Sequence, residues 1–170
     1  SLQERALQMA TVLRKRGARV AIVELAGTGQ LAETTIALVD AYMAPTAAIP
    51  FLSALAKRTT EQTRKLQFVQ FDDGMFGRSG QSTVSARSFA ASLQSERSTA
   101  IVRMISVESS TRAESVIDFI GMELASGKEN ACYDAEGVRR VSELAPSAIR
   151  SQKVRSLEWC SDDVLLVSGG

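Results

Sequence analysis

An alternation between two apolar periods restricts this chain more than any other feature of its sequence. Leu2, Ala6, Met9, Ala10 and Leu13 recur at spacings of three and four, which marks one face of a helix through Arg16. Gly17 is its stop, with Arg14, Lys15 and Arg16 in the last turn, where cations favour the helix dipole. Val20-Ala-Ile-Val-Glu-Leu25 then reads as a buried strand, because it is short, nearly continuous and β-branched. The rhythm repeats with strands expected at Thr34–Tyr42, Leu66–Phe71 and Thr99–Val107. Helices are expected at 47–57, 85–97 and 112–125, the last closed by Gly127, and Pro50 fits the first of them only within its opening turn. Such spacing implies an α/β fold, with right-handed crossovers and a mostly parallel sheet flanked by helices. Near the C-terminus the rhythm breaks. Asn130–Tyr133, the turn Asp134-Ala-Glu-Gly137 and Val138–Leu144 read as short edge strands. A polar connector at 145–157 follows, then a last strand at Val164–Val167.

Composition narrows the function. A chain of 170 residues suits one domain with its own core. With net charge +1 and both signs interspersed, it has no electrostatic footprint for nucleic acid or an anionic membrane. No apolar run approaches the roughly 20 residues of a membrane span. The N-terminal helix is mixed rather than unbroken and apolar, unlike a signal sequence. Cys132 and Cys160 lie outside zinc-type spacing, so the expectation is two reduced thiols in a cytoplasmic protein. There is no histidine, which removes His-based triads, His-ligated metals and the commonest general base.

The motifs stop short of a complete catalytic set. Gly27-Thr-Gly29-Gln-Leu-Ala32 formally fits GxGxxA, yet the next strand begins near Thr34 and leaves no room for the phosphate-binding helix. It reads as a plain loop. Asp72 and Asp73, in Phe71-Asp-Asp-Gly-Met-Phe-Gly77, could hold a magnesium ion, but no GxxxxGK[ST] supplies the phosphate side. Turning the chain, with glycines at positive φ, is the plainer role. Short-chain reductases use a tyrosine and a lysine four residues on. Tyr42 is followed at that spacing by Thr46, and Tyr133 by Gly137. No GxSxG elbow is present, and no cysteine has a histidine to activate it. No catalytic and no metal-ligating residue is assigned.

The order of segments resembles the structural, truncated Rossmann half of a ketoreductase domain from a type I polyketide synthase or polyunsaturated fatty acid synthase. The likeness covers nearly the whole chain as pattern. ERALQMATVLRKRGARVAIVEL resembles the family's opening helix and the strand after it. LQFVQFDDGMFGRSG resembles its strand carrying V-T-R-G and the loop after it, and SARSFAASLQSERSTAIVRMISVE its helix and strand in which small residues precede an acidic residue at the helix end. ESVIDFIGMELASGKENACYDAEGVRRVSEL resembles the last helix and edge strands, and DDVLLVSGG the entry to the catalytic half. Ser168 departs from the family's usual threonine, and no tryptophan-glycine contact precedes the fifth strand. The resemblance implies a Rossmann-like structural subdomain over 1–157 and a linker with first strand over 158–170. Gly169 and Gly170 would be the first glycines of an NADPH turn belonging to the catalytic half. It further implies partnership with that half and with an acyl carrier protein, and leaves room for homodimerisation through the parent protein. Two other readings stand beside it: a self-contained nucleotide- or small-molecule-binding module, and a dimerisation or partner-binding module at an open sheet edge.

Overall fold

A computed structural model describes residues 1–24, 30–75, 85–126 and 130–143. The element order is α1 (Leu2–Lys15), β1 (Thr34–Asp40), α2 (Pro45–Arg58), β2 (Lys65–Asp72), α3 (Ala86–Glu96), β3 (Ile101–Glu108), α4 (Ala113–Ser126), β4 (Ala131–Tyr133) and β5 (Arg139–Val141). The five strands lie side by side in chain order. β1 to β4 are parallel, and β5 turns back antiparallel on β4. The expected α/β class, a mostly parallel sheet with short edge strands near the C-terminus, is what the chain adopts. Among the described residues no helix is long and apolar enough to cross a membrane.

Strand alternation sends side chains to two separate cores. Leu66 and Phe68 of β2 and Val102 and Met104 of β3 face α2 and α3, meeting Leu55, Ala90 and Leu93. Val69 and Phe71, with Ile105 and Val107, face α1 and α4, meeting Met9, Val12, Val116, Ile117 and Ile120. β2 is sealed on both faces, so it carries a nearly unbroken buried pattern. α1 ends as its sequence implies. Gly17, at φ +86°, lets its N–H reach Arg14 O and the Ala18 N–H reach Leu13 O, the paired bonds of a Schellman cap.

Three expectations fail. The stretch expected to be a strand at Val20–Leu25 has no regular structure over 20–24, and Leu25 lies outside the described residues. A strand exists only through its ladder, and residues 20–24 pair with no described strand, β1 being the sheet edge on that side. Ile22 and Val23 remain 43% and 52% exposed, held instead by Arg14 on Val20 O and Arg58 on Glu24 O. Pro50 sits inside α2 beyond its first turn, because the helix starts two residues earlier than expected, with Pro45 in its opening positions. One i→i−4 bond is lost there on an exposed helix. Finally, the crossovers do not share one hand. The strands advance in one direction, while α2 and α3 cross on one face and α4 on the other. Crossovers on opposite faces then have opposite hands, so the right-handed rule does not hold for all three. α4 takes that face because its apolar residues complete the core built with α1 and because it grips the hairpin that follows. The expected connector at 145–157, the strand at Val164–Val167, and Gly127 lie outside the described residues.

Candidate functional site

In open parallel sheets, ligands bind beyond the carboxyl ends of the strands. Here those ends carry Asp40 on β1, Asp72 and Asp73 at the end of β2, and Glu108 on β3. Tyr42 follows β1, and its phenol is pushed above 10.0, first by desolvation and then by Asp73, Asp72, Asp40 and Glu108. One exposed phenol thus senses all four carboxylates. Four carboxylates gather at this edge, with the Arg5 guanidinium beside them over the Phe71 ring and on Ser109 O.

Asp72 is the buried member, 2% exposed. Its carboxylate accepts from Ser106 Oγ at 2.5 Å, Gln70 Nε2 at 2.7 Å and the Gly74 N–H at 2.7 Å. Burial raises its pKa above 3.8, against the lowering effect of the Ser106, Gln70 and Gly74 hydrogen bonds. Asp73 Oδ1 accepts the Met75 N–H at 2.9 Å. Both aspartates therefore turn the chain, as the sequence implied, and Gly74 adopts φ +67°. Gly77 lies outside the described residues. Among the described residues, no group of three carboxylates or thiols is placed to hold a metal ion.

Gln70 was not singled out in the sequence, and it determines much of the site. Its Nε2 is on Asp72 while its Oε1 accepts the Ala86 N–H at 2.7 Å, the opening amide of α3. Ser85 Oγ caps the same helix by accepting the Arg87 N–H. A helix N-terminus facing such a crevice is the usual seat of a pyrophosphate. Here its first amide already serves a side chain, and four carboxylates lie along the same edge. Buried glutamines within a strand that is covered on both faces were the sequence signal for this.

The remaining candidates are placed as follows. Residues 30–33 of the GxGxxA match form no helix before β1, and residues 25–29 lie outside the described residues. Cys132 is buried beside Asp72; desolvation first, then that carboxylate, push its thiol up, away from nucleophilic character. Cys160, Gly169 and Gly170 lie outside the described residues. Tyr133 is 1% exposed, stacks on Phe119 with ring centroids 3.8 Å apart, and donates its hydroxyl to Glu123 at 2.6 Å. Burial, then Glu123, raise its pKa strongly. A reductase tyrosine needs the opposite shift, and both tyrosines here are moved away from it.

The raised pKa of Asp72 has a signed consequence. Between 3.8 and its folded value, the native chain keeps a proton that the unfolded chain has released. Its contribution to stability therefore falls as pH rises through that window. Urea unfolding of the parent and Asp72→Asn across acidic to neutral pH should show this falling component in the parent and not in the variant. Identical pH profiles would contradict it.

Comparisons with protein-family models, with curated proteins and with solved structures found no match to this chain.

Proposed function

We propose that this chain is the noncatalytic structural half of an NADPH-dependent β-ketoacyl reductase domain in a polyketide or fatty acid megasynthase. Its role is to stabilise and orient the half that reduces carrier-bound thioesters. The observation that carries this reading is a Rossmann-like sheet whose ligand edge gathers four carboxylates and whose α3 amide is capped from within. A dinucleotide would set its pyrophosphate charges against Asp40, Asp72, Asp73 and Glu108. Such a scaffold keeps its layers while the chemistry resides in the partner half, where NADPH, Gly169 and Gly170 would meet. Contact with that half, of order 1,000 Å² for packing of this kind, would cover apolar surface of this half.

Two measurements test the reading. Titrating the chain with NADPH should give no saturable binding at micromolar concentrations and no reduction of a β-ketoacyl thioester surrogate; tight binding with turnover overturns it. The coding sequence beyond Gly170 should continue into a glycine-rich turn and then a Tyr-x-x-x-Lys pair. A stop codon directly after Gly170 also overturns it.

A further inference from the structure

The two edges of the sheet are built differently. β5, on one side, is three residues long and carries Arg139 and Arg140, and short charged strands resist pairing with another chain. β1, on the other, is seven residues long, Thr34-Thr-Ile-Ala-Leu-Val-Asp40, with no lysine, arginine or proline. Its register with β2 runs from Thr34 to Asp40 without a bulge. None of the usual guards of an open edge is present in it.

The ladder shows which groups are left over. The Ala41 N–H donates to Phe71 O, and Glu33 O accepts the Lys65 N–H, so the odd-numbered residues of this stretch turn their peptide groups toward β2. Alternation points those of Thr34, Ile36 and Leu38 outward, and no described strand lies beyond β1. The Ile36 and Leu38 side chains are half-buried at the rim of the core under α1 and α4.

A second copy of the strand is its complement. Run antiparallel about a twofold axis through Ala37, β1 sets Ile36 opposite the copy's Leu38, Thr35 opposite Val39 and Thr34 opposite Asp40. Ile36 and Leu38 are then the pair that exchanges N–H···O bonds, and they are the residues whose peptide groups face outward. Asp40, the one charge in the strand, meets a hydroxyl rather than its twin. A register centred on Leu38 would instead set Asp40 against Ile36. An axis normal to the sheet also keeps α2 and its copy on the same side. α2 bears no charge from Pro45 to Ala56, and its Ile49 is 66% exposed. We propose that β1 joins two copies of this chain into a symmetric dimer with one continuous sheet. The dimer does not depend on the chain's place in a reductase.

Sedimentation equilibrium of the full chain up to about 1 mM should show monomer and dimer in exchange, with a dissociation constant on the order of 10 μM. Thr34 is exposed, so its variants report on pairing rather than on folding. Thr34→Asp places two like-charge pairs across the axis and should weaken the dimer about two- to thirtyfold. Thr34→Lys, facing Asp40, should tighten it or leave it unchanged. Ala37→Cys in a Cys160→Ser background, where the remaining Cys132 is buried, should form an intermolecular disulfide on mild oxidation. Self-paired Cα atoms of a non-hydrogen-bonded pair lie about 4.5 Å apart, within disulfide reach. Thr35→Cys should not crosslink, because its own copy lies about 13 Å further along the strand. A monomer throughout, a dimer indifferent to Thr34→Asp, or a folded Ala37→Cys dimer that crosslinks no better than Thr35→Cys would each overturn the proposal. The first result would leave β1 to another occupant, and the other two would move the contact to another surface.

Discussion

Gly74→Ala should destabilise the chain more than any other single-methyl insertion in the described residues, by about 2–5 kcal/mol. Two costs add. Gly74 has φ +67°, a left-handed conformation that costs an L-residue about 1–2 kcal/mol. A Cβ there would also sit 2.4 Å from Tyr133 O, 3.1 Å from Asp134 Cα and 3.2 Å from Glu108 N. All three are backbone atoms, held by the β3–β4 ladder and the turn beyond it, so they cannot rotate aside as a side chain would. Relief means shifting β4 or losing the Gly74 N–H bond to Asp72, with an overpacking cost of about 1–3 kcal/mol. Gly121→Ala is the control. It is exposed on α4 with nothing within 4 Å of the added carbon, so alanine should stabilise it by up to about 1 kcal/mol. Urea midpoints read both. A Gly74→Ala chain as stable as the parent would mean that the end of β2 is not seated on β4.

The same crowding shows what the sequence could and could not disclose. The helices and three of the main strands were legible because each buries one stripe or one face, and burial writes its period into the residues. Gly17 marked a helix end through chemistry confined to a few neighbours. Val20–Val23 misled because its β-branched composition states a willingness to pair, whereas pairing depends on a neighbour far along the chain. The face taken by α4 was hidden for a similar reason. An apolar stripe on Val116, Ile117 and Ile120 says that the helix is buried, and only the shape left by α1 says where. At the site, Asp72 and Asp73 were visible as turn residues. Their burial partners Gln70 and Ser106 were not, because a polar residue in a strand signals an inward network only once the opposite face is known to be covered. Gly74 was visible as a residue permitting positive φ. Its contact with Tyr133, from a distant edge strand, was not.

Glu123→Ala should cost about 2–4 kcal/mol, and the size depends on which partner is left behind. Glu123 is 2% exposed on α4, and its carboxylate accepts from Tyr133 Oη at 2.6 Å, Arg139 Nε at 2.6 Å and Arg139 Nη2 at 3.1 Å. The Arg139 side chain is 39% exposed, so water can take it back, and the loss stays below the roughly 3–5 kcal/mol of a fully buried pair. Tyr133 has no such escape, and its orphaned hydroxyl costs about 1–3 kcal/mol. Tyr133→Phe alone should cost about 1 kcal/mol, the net value of one hydrogen bond. The double variant should then be less destabilised than the sum, because phenylalanine has no hydroxyl to strand. The pH dependence carries the opposite sign to that of Asp72. Burial alone would raise Glu123, but the Arg139 and Tyr133 hydrogen bonds and the Arg139 charge outweigh it and bring its pKa below 4.5. From 4.5 down through that folded value the unfolded chain binds the proton more readily, so this stabilisation is lost as pH falls, and Glu123→Gln should flatten that limb. These bonds join α4 to both strands of the terminal hairpin, so they also hold in place the one crossover that departs from the hand of its neighbours. Strict additivity of Glu123→Ala and Tyr133→Phe would show that the hydroxyl and carboxylate are not coupled, and the hairpin would then need another anchor.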